Sequence, residues 1–286
     1  MKKVIHNWWI TLFILLNKLI QYNILMNLSL LTYNTLFNNA ADKIDEVIDK
    51  YHPDIVCLQE ALTNDNNVKN IEKLGYKLAD FANSFIKFGK IFGVITFYNP
   101  KTLIFNDSFT LNLGINPIEY FFYLLQVILG YNKPKTILKT DFIHKSTKKR
   151  IAICNVHLYV IGSNELRIKH INKALKSVNL SKKEPLIICG DFNYFPYRRK
   201  RLERMMARYH LKEATKNIEQ TIKFSYDGLS EKFSFFQRFF SKFINKVFAN
   251  GLKIDYVFYR VLRLKKTERI ETHSSDHYPI ISIFDI

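Results

Sequence analysis

Short apolar runs that close on a polar residue recur along this chain, and they restrict its fold more than any other feature. Leu28 to Tyr33 closes on Asn34, the run DIVCLQE on Glu60, RIAICNVH on His157, and LIICGD on Asp191. Continuous apolar stretches of this length are the pattern of strands covered on both faces. Further strands are predicted at 91–98, 101–106, 136–143, 253–260 and 279–284. Between them, AADKIDEVIDKY places Ile44, Val47, Ile48 and Tyr51 at helical spacing, and Pro53 stops that helix. A second helix opens near the good caps Ser163 and Asn164 and carries Ile168, Ile171, Leu175 and Val178. A third, basic helix (RRKRLERMMARYH) follows LIICGDFNYFP. Helices and strands alternate only loosely, with several strands in succession. That argues for an α/β protein with a layered sheet core rather than a doubly wound sheet. No repeat and no Pro/Gly/Ser linker divides the chain. One domain over 27–286 is expected, after an apolar segment over 1–26.

The polar residues at these strand ends keep company. Asp191 and Asn193, two apart in extended chain, point to the same side, and Gly190 lets the backbone turn. Alone they would read as a polar turn. Asn34, Glu60, Asn155 with His157, and Asp276 with His277 also sit at or just beyond an end of an apolar run, and Asp255 lies within another. In layered α/β folds such termini converge on one edge of the sheet, where ligands bind. The residue types suit one chemistry. Carboxylate and amide oxygens hold Mg²⁺, a histidine beside an aspartate manages protons, and Asn and His donors fit a phosphoryl oxygen. No Cys/His zinc cluster, P-loop or G-x-S-x-G elbow competes.

Charge points the same way. Lys and Arg outnumber Asp and Glu by 43 to 25, for a net charge of +18. Such a surface attracts nucleic acid, anionic lipid or phosphorylated substrates, although a compositional bias of the source genome would also enrich lysine. Cys57, Cys154 and Cys189 each lie in an apolar run without metal spacing, as buried unpaired thiols do. Two lysines precede Trp8 to Leu16, but no small-residue cleavage site follows and the run is short for a membrane span. This segment reads as a signal-like anchor, an interfacial helix or a helix packed on the domain. Residues 117–131 are strongly apolar. In 232–248, Phe236, Phe240, Phe243 and Val247 share a helical face opposite Arg238, Lys242, Asn245 and Lys246. Both stretches read either as core helices or as surfaces that meet a lipid interface.

The ordered series TYN, LQE, NVHL, GDFN, KIDYVF and SSDH, running from Asn34 to His277, resembles the endonuclease/exonuclease/phosphatase superfamily. That group includes DNase I-like and abasic-site nucleases, neutral sphingomyelinases and inositol-polyphosphate 5-phosphatases. The resemblance implies a four-layer α/β/β/α sandwich of two mixed β-sheets. It also implies a Mg²⁺- or Mn²⁺-dependent hydrolase of phosphate esters acting by direct water attack. Glu60 is then the main metal ligand with Asn34 beside it and Asp276 nearby. Asp191 orients or deprotonates the water, and Asn193 helps place it. His277, held by Asp255, contacts the phosphate or serves as acid/base. His157 donates to a non-bridging oxygen, and Arg167 is structural.

Two departures from the family pattern bear on His157 and on substrate. The strand KIFGVITFY offers no acid to support His157, and YFPYRRKRLERMM lacks the 5-phosphatase pattern. The signal-like N-terminus and the 117–131 and 232–248 segments favour a membrane-associated phosphodiesterase acting on phospholipid headgroups, sphingomyelinase-like. The alternative is a Mg²⁺-dependent nuclease using the 198–204 helix on a phosphate backbone. A catalytically inactive binding module is the third reading. A monomer is expected, exported or membrane-associated, with a cytoplasmic location as the alternative.

Overall fold

A computed structural model describes residues 26–111, 113, 117, 120, 121, 124, 135–159, 162–178, 180–223 and 252–286. In chain order the strands are β1 (Asn27–Asn34), β2 (Ile55–Leu62), β3 (Lys77–Lys87), β4 (Lys90–Tyr98), β5 (Leu103–Thr110) and β6 (Thr136–His144). They continue with β7 (Arg150–His157), β8 (Leu186–Asp191), β9 (Lys212–Glu213), β10 (Asp255–Arg260), β11 (Arg263–Arg269) and β12 (Ile280–Asp285). The helices are α1 (Ile44–Tyr51), α2 (Asp65–Glu72), α3 (Asn164–Ser177) and α4 (Arg199–Arg208). The strands form two six-stranded sheets, in the orders β11-β12-β1-β2-β4-β3 and β5-β6-β7-β8-β10-β9. Both are mixed: β1 runs parallel to β2 and β7 to β8, while the remaining neighbours are antiparallel.

The continuous apolar runs have the burial they require. Alternate side chains of the inner strands face the other sheet, and the rest face helices. Leu28, Leu30, Ile55 and Cys57 of the first sheet meet Ile153, Ile187, Cys189 and Val257 of the second in the interior. Leu31, Val56, Leu58 and Ile95 point outward onto Ile44, Val47 and Ile48 of α1 and Ile71 of α2. Val156, Ile188 and Phe258 point the other way onto Ile171 and Leu175 of α3 and Leu202 and Met206 of α4. Each such aliphatic side chain stabilises the fold by roughly 1.5–3 kcal/mol. The result is the four-layer α/β/β/α sandwich. Ser163 caps α3 as predicted, its Oγ accepting from the Leu166 amide at 3.2 Å.

All three cysteines are buried and free. Burial pushes the Cys154 thiol up to about 12. The turn joining β3 and β4 closes on the pair Lys87–Lys90 and holds Phe88 and Gly89 at φ 52° and 68°. Both residues are therefore left-handed, the I′ pattern of two-residue hairpins. The predicted 1–26 segment apart from Met26, the 232–248 segment and most of 117–131 lie outside the described residues. Within the last, Tyr120, Phe121 and Leu124 are helical and exposed. Among the described residues no helix is long and apolar enough to cross a membrane.

Candidate active site

Strand register builds half of the site. β7 pairs with β8 so that His157 lies beside Asp191, and β10 pairs with β8 so that Asp255 lies on its other side. Three polar side chains thus occupy one row across three adjacent strands, all buried. Gly190 makes that row possible. It has φ 126°, and a Cβ there would lie 2.2 Å from the Val156 carbonyl oxygen. Just past β8, Asn193 turns left-handed at φ 49°. Its amide donates to Asp191 Oδ1 at 2.8 Å, and its Nδ2 donates to the Leu158 carbonyl at 3.0 Å.

The first sheet supplies its residues differently. Asn34 ends β1, and its Nδ2 donates to Glu60 Oε1 at 3.3 Å and to Asp191 Oδ2 at 3.0 Å, so one carboxamide bridges acids from both sheets. Glu60 lies where the β2–β4 pairing shifts register between Leu58 and Ala61, with φ 52°. A left-handed conformation is strained for glutamate and turns its carboxylate in a direction that a regular strand would not give. The loop after Asn34 holds it there. Leu36, Phe37 and Asn38 are all left-handed. The Asn38 amide donates to the Glu60 carbonyl at 3.0 Å, and Asn38 Oδ1 accepts from the Leu62 amide at 3.1 Å.

His277 completes the group. Its Nδ1 is 2.9 Å from Asp255 Oδ2, which leaves Nε2 3.9 Å from Asp191 Oδ2. Ser275, to which the sequence assigns no role, orients this loop. Its Oγ donates to the Asn34 carbonyl at 2.8 Å and accepts from the His277 amide at 3.1 Å. His157 Nε2 lies 3.7 Å from Glu60 Oε1 and 3.8 Å from Asp191 Oδ2. Its ring meets Phe85 of β3 edge-on, with centroids 6.4 Å apart.

Buried charges at such spacing shift one another. Burial pushes the Asp191 carboxyl up to about 7, with Asp255 and Glu60 adding to the rise and His277 opposing it. Burial pulls the His277 imidazole down, but Asp255, Asp276 and Asp191 outweigh it and raise it to about 10. Among the described residues two groups could each hold a cation: Glu60, His157 and Asp191, and Asp191, Asp255 and His277. Within each, the ligand atoms lie within 4.8 Å of one another. The first fits a hard divalent ion. Two buried carboxylates converge there beside a carboxamide, and a cation relieves their mutual repulsion.

Not every strand-end residue joins the site. Asp276 stands at the lip of the site, its side chain 29% exposed and its Oδ1 3.9 Å from His277 Nε2. Asn155 belongs to the interior. Its Nδ2 donates to the Leu58 and Ile95 carbonyls at 3.1 and 3.0 Å, and its Oδ1 accepts from Gln59 Nε2 at 2.8 Å. It therefore ties the sheets together two residues short of the edge. Arg167 is fully buried, giving its guanidinium to the Tyr159 and Gly162 carbonyls and to Asn164 Oδ1. Its role is structural.

A family model described as the endonuclease/exonuclease/phosphatase family matches residues 20–277. Among curated proteins, a UPF0294 protein of Vibrio campbellii is 27% identical over 158 residues, which are 54% of this chain and 46% of that one. A UPF0294 protein of Vibrio vulnificus is 25% identical over 234 residues, 81% of this chain and 67% of that one. The chain spans about half the length of the first of these relatives. Among solved structures, the human Nocturnin catalytic domain with bound sulfate superposes with TM-score 0.65 at 17% identity, covering 90% of this chain and 93% of that one. Danio rerio TDP2 complexed with a single-strand DNA product superposes with TM-score 0.58 at 13% identity, covering 91% and 99%.

Proposed function

This chain belongs to the endonuclease/exonuclease/phosphatase family, and from that membership we propose that it is a metal-dependent phosphoesterase acting by direct attack of water. One observation carries the reading: Asn34, Glu60, His157, Asp191 and His277, drawn from both sheets and the loop before β12, meet at one buried point. Asp191 Oδ1 is engaged by the Asn193 amide, so Oδ2 faces both histidines and is placed to orient and deprotonate the water. Asn193 fixes the loop that carries this carboxylate. Asp255 holds His277 by Nδ1, so the Nε2 proton is directed to the phosphate or its leaving oxygen. His157 Nε2 faces the same space and donates to a non-bridging oxygen. A Mg²⁺ or Mn²⁺ ion held by Glu60 with Asn34, and Asp276 near it, supplies positive charge against that building on the phosphoryl oxygens.

Hydrolysis of bis(p-nitrophenyl) phosphate tests this. The rate is expected to require metal and to collapse in Asp191→Ala and His277→Ala. Wild-type rates in both variants, with clean metal controls, would overturn the assignment. A wild-type protein inactive with either metal would leave the fold as a binding module.

For substrate we propose a phospholipid headgroup ester at a membrane surface. The +18 charge and the apolar segments of the sequence support it. Nucleic acid is the second reading, favoured by one observation. A groove of about 830 Å³ between α3 and α4 is lined by Lys169, Arg198, Lys200, Arg201, Arg204 and Arg208. Glu165 pairs with Arg198 and Arg201. Among the described residues no carboxylate lies within ion-pair distance of Lys169, Lys200, Arg204 or Arg208. Assaying one preparation with Mg²⁺ against plasmid and mixed phospholipid vesicles separates the two, since only one substrate should be consumed.

A further inference from the structure

The tip of the β3–β4 hairpin is apolar, exposed and next to the site. Ile86, Phe88 and Ile91 are 63%, 57% and 47% exposed. Ile86 and Ile91 are cross-strand partners, and Phe88 crowns the turn between them. Backbone geometry does not explain that phenylalanine. A turn with both residues left-handed takes Asn-Gly or Asp-Gly, and a bulky aromatic at φ 52° is an outlier. Core packing does not explain it either, because most of its surface is in solvent.

What the ring does touch is the wall of the site. Phe37 contacts Phe88, Phe85 and Phe92 with centroids 5.9, 6.0 and 5.8 Å away, and Phe85 meets His157. A row of rings therefore runs from the exposed tip to a site histidine. Lys87 and Lys90 flank the apolar side chains, with Lys87 Nζ 4.3 Å from the Phe37 ring centroid.

We propose that this hairpin tip docks the enzyme on an anionic phospholipid bilayer, with Ile86, Phe88 and Ile91 entering the headgroup boundary. Lys87 and Lys90 remain at the lipid phosphates. The proposal rests on the phospholipid reading of the substrate and gives it a docking element among the described residues. Charge decides the occupant. Three apolar side chains are too few for a stable protein interface. An apolar tip with flanking ammonium groups, on a chain of net charge +18, complements an anionic surface in which lysine stems snorkel.

Cosedimentation of the full chain with vesicles of equimolar phosphatidylcholine and phosphatidylglycerol, and with phosphatidylcholine alone, tests it. Phe88→Asn restores the preferred Asn-Gly turn, so this variant should be at least as heat-stable as wild type. Its partition onto anionic vesicles should fall roughly ten- to a hundredfold, the effect of exposing one buried phenylalanine. Adding Ile86→Thr and Ile91→Thr should take binding to background, with hydrolysis of bis(p-nitrophenyl) phosphate unchanged. Lys90→Glu should weaken binding to the anionic vesicles alone. Unchanged binding by the triple variant would overturn the proposal. So would loss of single-stranded oligonucleotide binding with vesicle binding intact, which would assign the tip to nucleic acid. A wild-type dimer in sedimentation equilibrium that dissociates in the triple variant would assign it to a second copy and equally overturn the proposal. Tip-dependent binding without hydrolysis of the vesicle lipid would keep the docking element and remove the phospholipid substrate. Rates on the soluble diester report the phosphoesterase reading independently of either.

Discussion

In the second sheet, His157, Asp191 and Asp255 sit side by side on β7, β8 and β10 in unbroken register. In the first, Glu60 reaches the same point through a register shift, a left-handed backbone and a loop of three further left-handed residues. The second sheet thus presents its acids by regular pairing, with a glycine at 190 to admit it, whereas the first stores strain that its neighbours must hold. Strain of this kind collects where a ligand is to be received. It follows that the two halves should answer differently to substitution, the row chiefly through proton chemistry, although His157 and Asp191 also face the candidate cation position, and the bulge through the ion alone.

The largest effects should separate those roles. Asp191→Asn should lower the diester rate about a thousandfold, within the range for losing a general base, and added Mg²⁺ should not restore it. Glu60→Gln should lose about ten- to a hundredfold at low metal and recover as Mg²⁺ is raised, because it weakens a ligand rather than removing the base. Titrating metal at fixed substrate checks both. Recovery of the Asp191 variant, or none of the Glu60 variant, would erase the division.

Next in size is the register itself. Gly190→Ala would put a Cβ 2.2 Å from the Val156 carbonyl at φ 126°, so β7 and β8 must part. A loss of about 3 kcal/mol or more in urea unfolding is expected. Gly89→Ala in the hairpin turn is the control. Its Cβ meets nothing within 4 Å, and only the left-handed backbone, φ 68°, opposes it. That should cost about 1–2 kcal/mol.

The same contrast decides what the sequence discloses. His157 and Asp191 were legible because a continuous apolar run and a terminal polar residue together state a buried strand and the place where it emerges, whereas Asp255 opens its strand and gives no such signal. Two strands of the first sheet carry no such run. β3 (KLADFANSFIK) and β11 (RLKKTER) are its outermost strands, half in solvent, and their mixed composition hides them. Asn155 misleads for a related reason. Two residues before His157 it points to the same side, but the opposite sheet still covers it there, and its amide is consumed by Leu58, Ile95 and Gln59. The left-handed turn at Glu60 has no sequence signal, since glutamate is not a residue that favours it.

A smaller effect concerns pH in the metal-free protein. His277 has a folded pKa of about 10 against 6.5 for the unperturbed side chain, so the folded state holds the extra proton. The stability it contributes is complete below about 6.5 and is lost as pH rises toward 10. Asp191, raised to about 7 from 3.8, acts in the same sense over the lower window. Denaturant midpoints in chelator should therefore fall as pH rises, more steeply for wild type than for His277→Asn above neutrality. Equal slopes for the two proteins would mean that Asp255 does not hold the imidazolium.

The finest test compares glycine with alanine at one acid from each half. At Glu60, φ 52° penalises any residue with a Cβ, so Glu60→Gly should be more stable than Glu60→Ala by about 1 kcal/mol. At Asp191, in regular β8, glycine gains nothing from the backbone and widens the unfolded ensemble. Asp191→Gly should be less stable than Asp191→Ala by roughly 0.5–1 kcal/mol. Both members of each pair lack the carboxylate, so the loss of charge cancels within the pair and only the backbone preference is left. Urea unfolding in chelator reads the two differences directly. Opposite signs would show that the first sheet holds Glu60 against its own backbone while the second holds Asp191 along it. The same sign at both positions would mean that the bulge at Glu60 relaxes once the carboxylate is gone, and that the strain belongs to the side chain's contacts with Asn34 rather than to the strand.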